Sequence, residues 1–528
     1  MQALIPQTRL PLSSHTSRNI IMQFLTLLSL FLTVSATQRP FALGLDLDGD
    51  RKLNKNLPPS IFHFQGQYSP RWQVPSSVHP APEPPLGCVV NQVSSLERHG
   101  ARFPTASSLK KIQATLANVQ KALANVNASD IADPKLRFLK TVQLQLGSDD
   151  LVPYGALQAY YSGQSTAQLY GLLKSSGSFV RSTGDADVLD DRVIVTAQYW
   201  KLGFSGQPFP SGNISTSNQT RYAPGLPTID VIFSEQDGFN NTLDVSTCTD
   251  QNNQSPKPES AAQAAYGKST LEPVIGTRLS QGLAPANITF AYSDILNLMG
   301  LCSFDTLGRA SVINGKLHLA DGGNISQFCN AFTDAEWQLY GFANDVGKWS
   351  GVGYGNIYSR AVGGGYLREL LARLTGVPPV LNPPTSLNTT IDSNNASFPL
   401  DKGIYFDGTH DNNLGPIATA FGLFNGPALN ASKLHAEQDP HNWYFSRIAP
   451  FQGKLVFERL SCLPGRTYVR VRANGAVQPA IGDYGWCQNT TANVFDRTLA
   501  RHGLCSLESV QNSLAWVNTD SEWNKCYQ

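Results

Sequence analysis

Charge of one sign is not in surplus anywhere in the overall balance: 40 Lys and Arg face 39 Asp and Glu across 528 residues. No global field therefore draws the chain to nucleic acid or to an acidic membrane surface, and any anion site must be local. Beyond one early apolar run, no stretch is long and apolar enough to cross a bilayer. Cys-x-x-Cys pairs are missing, which speaks against structural zinc. A Gly-x-Ser-x-Gly elbow is also missing, which speaks against a hydrolase built on a serine nucleophile of that kind. There is no convincing internal repeat. What remains is a globular composition, 41% hydrophobic and 15% charged, long enough for two or three domains or one large enzyme with an inserted lobe.

The apolar run, Ile20 to Val34, follows Arg9 and Arg18 and ends in Val34-Ser35-Ala36, a small-residue cleavage pattern. Residues 1–36 are thus expected to be a signal peptide, with a signal anchor as the alternative. Met22 could serve as the start, since Met22 to Ala36 keeps the same features. Residues 37–87 read as a linker or propeptide, proline-rich at Pro80, Pro82, Pro84 and Pro85. Within it, Asp46-Leu-Asp48-Gly-Asp50 has the look of a calcium loop, but Arg51 stands where an EF-hand loop needs glycine, so a polar solvated segment is expected.

Eight cysteines follow the leader, and an even number in an exported chain predicts four disulfides whose connectivity sequence alone does not decide. Sequons recur, among them Asn127, Asn287, Asn324 and Asn395, consistent with a secreted, extracellular glycoprotein. After the leader is removed no membrane association is expected, and the chain is expected to be a monomer.

The ordered domain, 88–528, reads as alternating strands and helices. Val89 to Leu96, Phe179 to Arg181, Ile229 to Phe233, Ile404 to Phe406, Lys454 to Leu460 and Tyr468 to Val471 read as strands. Leu109, Ile112, Leu116, Val119, Leu123 and Val126 mark one face of a helix. Further helices are predicted over Ala156 to Leu173, Arg192 to Phe204, Tyr366 to Leu374 and Leu414 to Phe424, while Gly351 to Gly365 reads as a flexible loop. The pattern predicts an α/β fold, a sheet flanked by helices. A second, mainly helical lobe is expected from about 106–175 and 255–350.

At the exit of the first strand stands Arg98-His99-Gly100-Ala101-Arg102-Phe103-Pro104-Thr105. Two guanidiniums bracket a histidine, and a guanidinium presents a rigid fork of donors suited to phosphate oxygens. A histidine held among such forks can attack phosphorus while the forks carry the oxygen charge. Another strand runs into Thr409-His410-Asp411-Asn412 and then a helix, the same layout. In α/β sheets ligands bind beyond the carboxyl ends of strands, so Arg98, Arg181 and His410 are expected to converge there.

These two motifs resemble those of the histidine acid phosphatase family. Leu151-Val-Pro-Tyr-Gly155, Asn241-Thr-Leu-Asp244, Cys302-Ser-Phe-Asp305 and Leu371-Ala-Arg-Leu-Thr375 are similar to motifs of its secreted fungal phytases, from about Gln67 to the C-terminus. The subgroup with Asn-Gln-Val before the Arg-His-Gly motif is the most similar, as in Asn91-Gln92-Val93. The resemblance implies a histidine-phosphatase-like mixed sheet and the pairs Cys88–Cys462, Cys248–Cys526, Cys302–Cys329 and Cys487–Cys505. It implies His99 as nucleophile, Asp411 as proton donor, and Arg98, Arg102, Arg181 and His410 as phosphate ligands, with no metal or cofactor. Lys348 and Asn412 are the implied substrate-binding residues.

Two departures from the family concern the rim. Arg181-Ser-Thr-Gly184 is separated from Arg192-Val193 by an insertion carrying Asp185, Asp187, Asp190 and Asp191, which leaves Arg192 as the alternative to Arg181. Ser108 stands where one phytase subgroup has lysine, with Lys110 and Lys111 nearby. The implied substrate is a small-molecule phosphate ester, phytate first. A broad-specificity acid phosphatase is the alternative, and a catalytically silent binding protein on the same fold is the more distant one.

Overall fold

The computed structural model describes residues 49–528 apart from 77, 79–82, 186–190, 215–224, 245–247, 436–440, 488–493, 520–521 and 528. The expected signal peptide, together with Asp46, Asp48, Asp187 and Asp190, lies outside the described residues. In chain order the elements that position the site are α1 (Asp50–Asn54), β1 (Cys88–Arg98), α2 (Ala106–Ala122), α3 (Pro153–Leu169), β2 (Ser178–Thr183), α4 (Arg192–Phe204), β3 (Val231–Phe233), α5 (Pro258–Tyr266), α6 (Tyr292–Gly308), α7 (Asp334–Val352), α8 (Ser359–Thr375), β4 (Ile404–Thr409), α9 (Asp411–Phe421), β5 (Lys454–Cys462), β6 (Arg466–Ala473), β7 (Ala476–Val477) and β8 (Leu504–Ser506).

The strands form one mixed sheet in the order β7-β6-β5-β1-β4-β2-β3, with β8 on β6. β1 pairs in parallel with β4, β4 with β2, and β2 with β3, whereas β5 and β6 run antiparallel. Because Arg98 lies opposite Thr409 in the β1–β4 register, the two histidine motifs leave the sheet side by side. Ile404, Tyr405 and Phe406 of β4 are fully buried, as a central strand covered on both faces requires.

α4 and α3 cover one face of the sheet. They approach so closely that a Cβ on Gly163 would meet the Trp200 carbonyl oxygen at 2.0 Å, and one on Gly203 the Tyr160 carbonyl oxygen at 2.0 Å. α3 was expected in the helical lobe, but it packs instead on α4, whose own contacts are with β2 and β4. The lobe is built by α2, α5, α6 and α7, which pair as α2 on α6 and α5 on α7. Thr105 caps α2 by accepting from the Ser108 amide, and Ile112, Leu116 and Val119 are its buried face.

The expected linker is where the sequence reading needs most correction. From α1 onward the segment belongs to the fold: Leu53, Leu57, Ile61 and Phe62 enter the main core. Asp50, expected to be solvated, is buried against Arg71, Oδ1 3.1 Å from Nη2, and Arg71 itself has no exposed surface. Composition misled here because a buried ion pair counts as polar in any sequence average. Replacing Asp50 with Asn should leave the Arg71 cation short of its counter-charge and cost about 3 kcal/mol. An unchanged thermal unfolding midpoint would show the pair to be dispensable.

The glycine-rich stretch is also ordered. α8 starts at Ser359 and carries Gly363, Gly364 and Gly365 inside it. A Cβ on Gly363 would meet the Pro416 carbonyl oxygen at 2.6 Å, and one on Gly365 would meet Ser386 Oγ at 2.2 Å, so Gly363 serves close packing of α8 on α9 and Gly365 its packing on the chain at Ser386. The four disulfides are Cys88–Cys462, Cys248–Cys526, Cys302–Cys329 and Cys487–Cys505, as the family resemblance implied.

Candidate active site

β1 delivers His99 into a backbone cage. The His99 amide donates to the Thr409 carbonyl oxygen at 3.0 Å, and the Gln452 amide donates to the His99 carbonyl oxygen at 2.9 Å. The Gly100 amide donates to Thr196 Oγ1 (3.1 Å) and the Ala101 amide to Gln158 Oε1 (3.0 Å), tying the loop to α4 and α3. Gly100 faces Gly155 so closely that a Cβ on either would meet backbone at 2.4 or 2.1 Å. Glycine is therefore required at both. The His99 ring places Nδ1 2.8 Å from the Gly100 carbonyl oxygen. A carbonyl can only accept, so Nδ1 carries the proton and Nε2 keeps its lone pair.

The charges around this ring favour the neutral imidazole. Burial lowers the His99 pKa well below the usual value, and Arg98, Arg192, Arg102 and His410 lower it further. Arg98 is fully buried and donates through Nη1 to the Ala449 carbonyl oxygen at 3.0 Å and to that of Gln67, with its guanidinium 4.8 Å over the Phe451 ring. Arg102 is held by the Phe103 carbonyl oxygen at 2.7 Å, and burial and the neighbouring arginines bring its pKa down to about 10. Nε of Arg98, Arg102 and Arg192 each lack a hydrogen-bond partner. Buried donors without acceptors are costly, and here they ring the histidine.

Arg181 is engaged elsewhere. Its Nε lies 2.7 Å from Asp407 Oδ1 and its Nη2 2.6 Å from Glu369 Oε2, in a wholly buried cluster that also holds Arg373 and Tyr366. Arg192, the first residue of α4, is the arginine whose field reaches His99, Arg98 and Arg102. The expectation that Arg181 lines the phosphate site is therefore corrected to Arg192. Arg181 lies inside β2, short of its end at Thr183, and points into the sheet's packed side, whereas Arg192 stands at the start of α4 where its charge acts on His99. Asp191 caps α4, accepting from the Val193 and Ile194 amides, and sits against Gly184, where a Cβ would meet it at 2.9 Å.

Asp411 opens α9 on the opposite wall. Its Oδ1 lies 3.3 Å from Arg98 Nη2 and its Oδ2 3.2 Å from Lys348 Nζ. Burial alone would raise its pKa, but Arg98, Lys348 and Arg102 overcome this and hold the carboxyl well below the usual range. Lys348 is at the site but fully occupied: it also reaches Glu259 Oε1 at 3.2 Å and donates to Asn412 Oδ1 at 2.8 Å. Asn412 thus serves Lys348. His410 is brought to the same wall, its ring centroid 5.5 Å from that of His99. Its Nε2 lies 2.8 Å from Glu235 Oε1, which also accepts from Thr183 Oγ1 at 3.0 Å. Glu235 is held at about pKa 2: burial works against this, and His410 and Thr183 outweigh it.

Residues 89–474 match the sequence pattern of the histidine phosphatase superfamily (branch 2). The chain belongs to that family. The histidine phosphatase is 31% identical over 511 residues to a protein named Phytase A of Aspergillus fumigatus, covering 96% of this chain and 100% of the relative. It is 33% identical to Phytase A of Aspergillus awamori over 88% of this chain and 90% of the relative. Among solved structures, the phytase from D. castellii shares the fold with a TM-score of 0.62 at 20% identity, covering 88% of this chain and 87% of that one.

Four contributors to the histidine phosphatase site were not predicted from the sequence. Glu235 was visible only as an acidic residue at a strand exit, a signal that could have been used. Gln67 and Tyr68 lie in the segment read as linker, yet Gln67 lends Arg98 its carbonyl and Tyr68 sits in the field of Arg98, Arg102 and Lys348. Glu259 comes from the helical lobe, and nothing in its sequence surroundings pointed to Lys348.

Proposed function

We propose that this histidine phosphatase is an exported phosphomonoesterase that releases phosphate from inositol phosphates, phytate included, through a phosphohistidine on His99. The observation that carries the reading is the ring of unpaired guanidinium donors from Arg98, Arg102 and Arg192 around a neutral histidine. In this mechanism the arginines hold the phosphoryl oxygens, and the Nε2–phosphorus bond forms as the bond from phosphorus to the alcohol oxygen breaks. The leaving oxygen takes a proton through Asp411. Water then attacks phosphorus and gives a proton to Asp411, releasing phosphate and restoring His99.

The source of that first proton follows from the charges. With Arg98 and Lys348 beside it, Asp411 is ionised in the empty site. A phosphomonoester arriving as its monoanion, the form prevailing below about pH 6, brings a proton with it. Its charge offsets the arginines and lets Asp411 accept that proton for the leaving group. Because the His99 pKa is lowered, the nucleophile stays neutral in the same acidic range in which an ordinary histidine would protonate. Turnover should accordingly be favoured below neutral pH.

Export rests on the apolar leader, the four disulfides and the exposed sequon residues Asn127, Asn287, Asn324 and Asn395. Asp411→Asn tests the chemistry. It should slow alkyl phosphates by roughly 100-fold or more, the scale of general acid catalysis, and activated aryl phosphates far less. Equal losses on both would remove Asp411 from the acid role. A wild-type enzyme that strongly prefers a small aryl ester to phytate would instead be a broad-specificity acid phosphatase.

A further inference from the structure

Beside the catalytic wall, a cavity of about 550 Å³ opens between Tyr68, Ser108 and α2 on one side and α5 and α6 on the other. It is large enough for a ring-sized leaving group. It is also poor in cations. Lys111 is the one lysine or arginine among its described lining residues, against the carboxylates of Glu259 and Asp294. Amides and hydroxyls make up much of the rest, including Thr115, Asn118, Gln263 and Asn297. Asp294 accepts from Thr115 Oγ1 at 2.8 Å, and Thr115 accepts in turn from Asn297 at 3.0 Å.

Glu259 is held at the mouth by design of the packing. A Cβ on Gly351 would meet the Glu259 Cβ at 2.8 Å, and one on Gly347 would meet Gln263 at 2.7 Å, so these two glycines let α5 lie directly on α7. That approach sets Glu259 Oε1 3.2 Å from Lys348 Nζ, which also lies 3.2 Å from Asp411 Oδ2. Lys348, a buried cation beside the catalytic wall, is consequently held by two carboxylates.

We infer that Glu259 selects by charge in the leaving-group cavity, disfavouring alcohols that carry further phosphates, so that sparsely phosphorylated polyol esters are the better substrates. This rests on the phosphomonoesterase reading above. A hydroxylated ring finds matching amides and hydroxyls, whereas each extra phosphate near Glu259 meets a like charge in a partly desolvated pocket. One such repulsion is on the order of tenfold in affinity. During phytate breakdown the lower inositol phosphates should then be consumed as fast as they form and should not accumulate.

The test measures binding of inositol hexakisphosphate and of inositol monophosphate by calorimetry to His99→Ala protein, which cannot turn them over, with and without Glu259→Gln. The added substitution should tighten hexakisphosphate about tenfold and monophosphate by less than about twofold. Equal changes for both ligands, or no change for hexakisphosphate, would overturn the proposal. Glu259→Asp keeps the charge but loses the reach to Lys348 and should bind like the parent. If it behaves like Glu259→Gln, the contact with Lys348 rather than charge selection is responsible, and the proposal fails. Phosphate release by the wild-type enzyme is assayed in parallel. An absence of release from every ester would overturn the phosphatase reading, while the binding arm still decides the role of Glu259.

Discussion

The His99→Ala protein should capture no phosphoryl group when mixed with substrate and quenched in alkali, a treatment that spares phosphohistidine. The steady-state rate should fall on the order of a millionfold, the scale seen when the nucleophile of a covalent hydrolase is removed. The loss is that large because the arginines and Asp411 have no other lone pair to work with: Nε2 is the nitrogen left free once Nδ1 is committed to the Gly100 carbonyl. His99 contributes little else that Ala would forfeit, since its backbone bonds to Thr409 and Gln452 persist. Phosphate label retained in the variant would move the nucleophile elsewhere, and the mechanism with it.

The second large effect separates two arginines that the sequence could not. Arg192→Met should fold normally and lose roughly 100- to 1,000-fold in kcat/KM, the usual consequence of removing one preorganised donor to a transition-state oxyanion. It should also move the acid limb of the rate profile upward in pH. Without Arg192 one of the charges that lower the His99 pKa is gone, so the imidazole protonates at a higher pH and its lone pair is lost sooner on acidification. Arg181→Met should behave in the opposite way. It takes the Arg181 cation away from buried Glu369 and leaves buried Asp407 to Arg373 and Tyr366, and should destabilise the protein by about 3–5 kcal/mol while the folded fraction keeps its kcat. Denaturation curves and single-turnover rates on both variants decide the matter. A stable but inactive Arg181→Met protein would restore Arg181 to the phosphate site.

The ends of β1 and β4 show why half of the site could be read without coordinates. Arg98-His99 and His410-Asp411 each sit directly after a β-favouring run and before a helical one, and parallel strands carry such exits to the same edge of the sheet. Arg181 illustrates the limit. It too ends a β-favouring run, but successive side chains on a strand point to opposite faces, so a residue can stand at the correct edge and still be turned away. The insertion before Arg192 hid the better candidate because seven residues, Asp185 to Asp191, separate Arg192 from Arg181-Ser-Thr-Gly184.

The segment at Asp50 to Arg71 failed for another reason. Periodicity and proline content report on local conformation, whereas its burial depends on partners such as Ser162 and Gln452, far along the chain. The same holds for Glu259, whose value lies wholly in the glycine-permitted approach of α5 to α7.

By itself, then, the amino-acid sequence determined the chemistry: a histidine between arginines, an acid after a second strand, paired cysteines and an α/β alternation, all of them local patterns or motifs of contiguous residues. Only the tertiary structure decided which arginine acts on His99, which groups occupy Lys348, and that the cavity lined by Glu259 and Asp294 carries more carboxylates than lysines. Those are questions of side-chain direction and of pairing across hundreds of residues, and they are settled by packing, which no single stretch of sequence encodes.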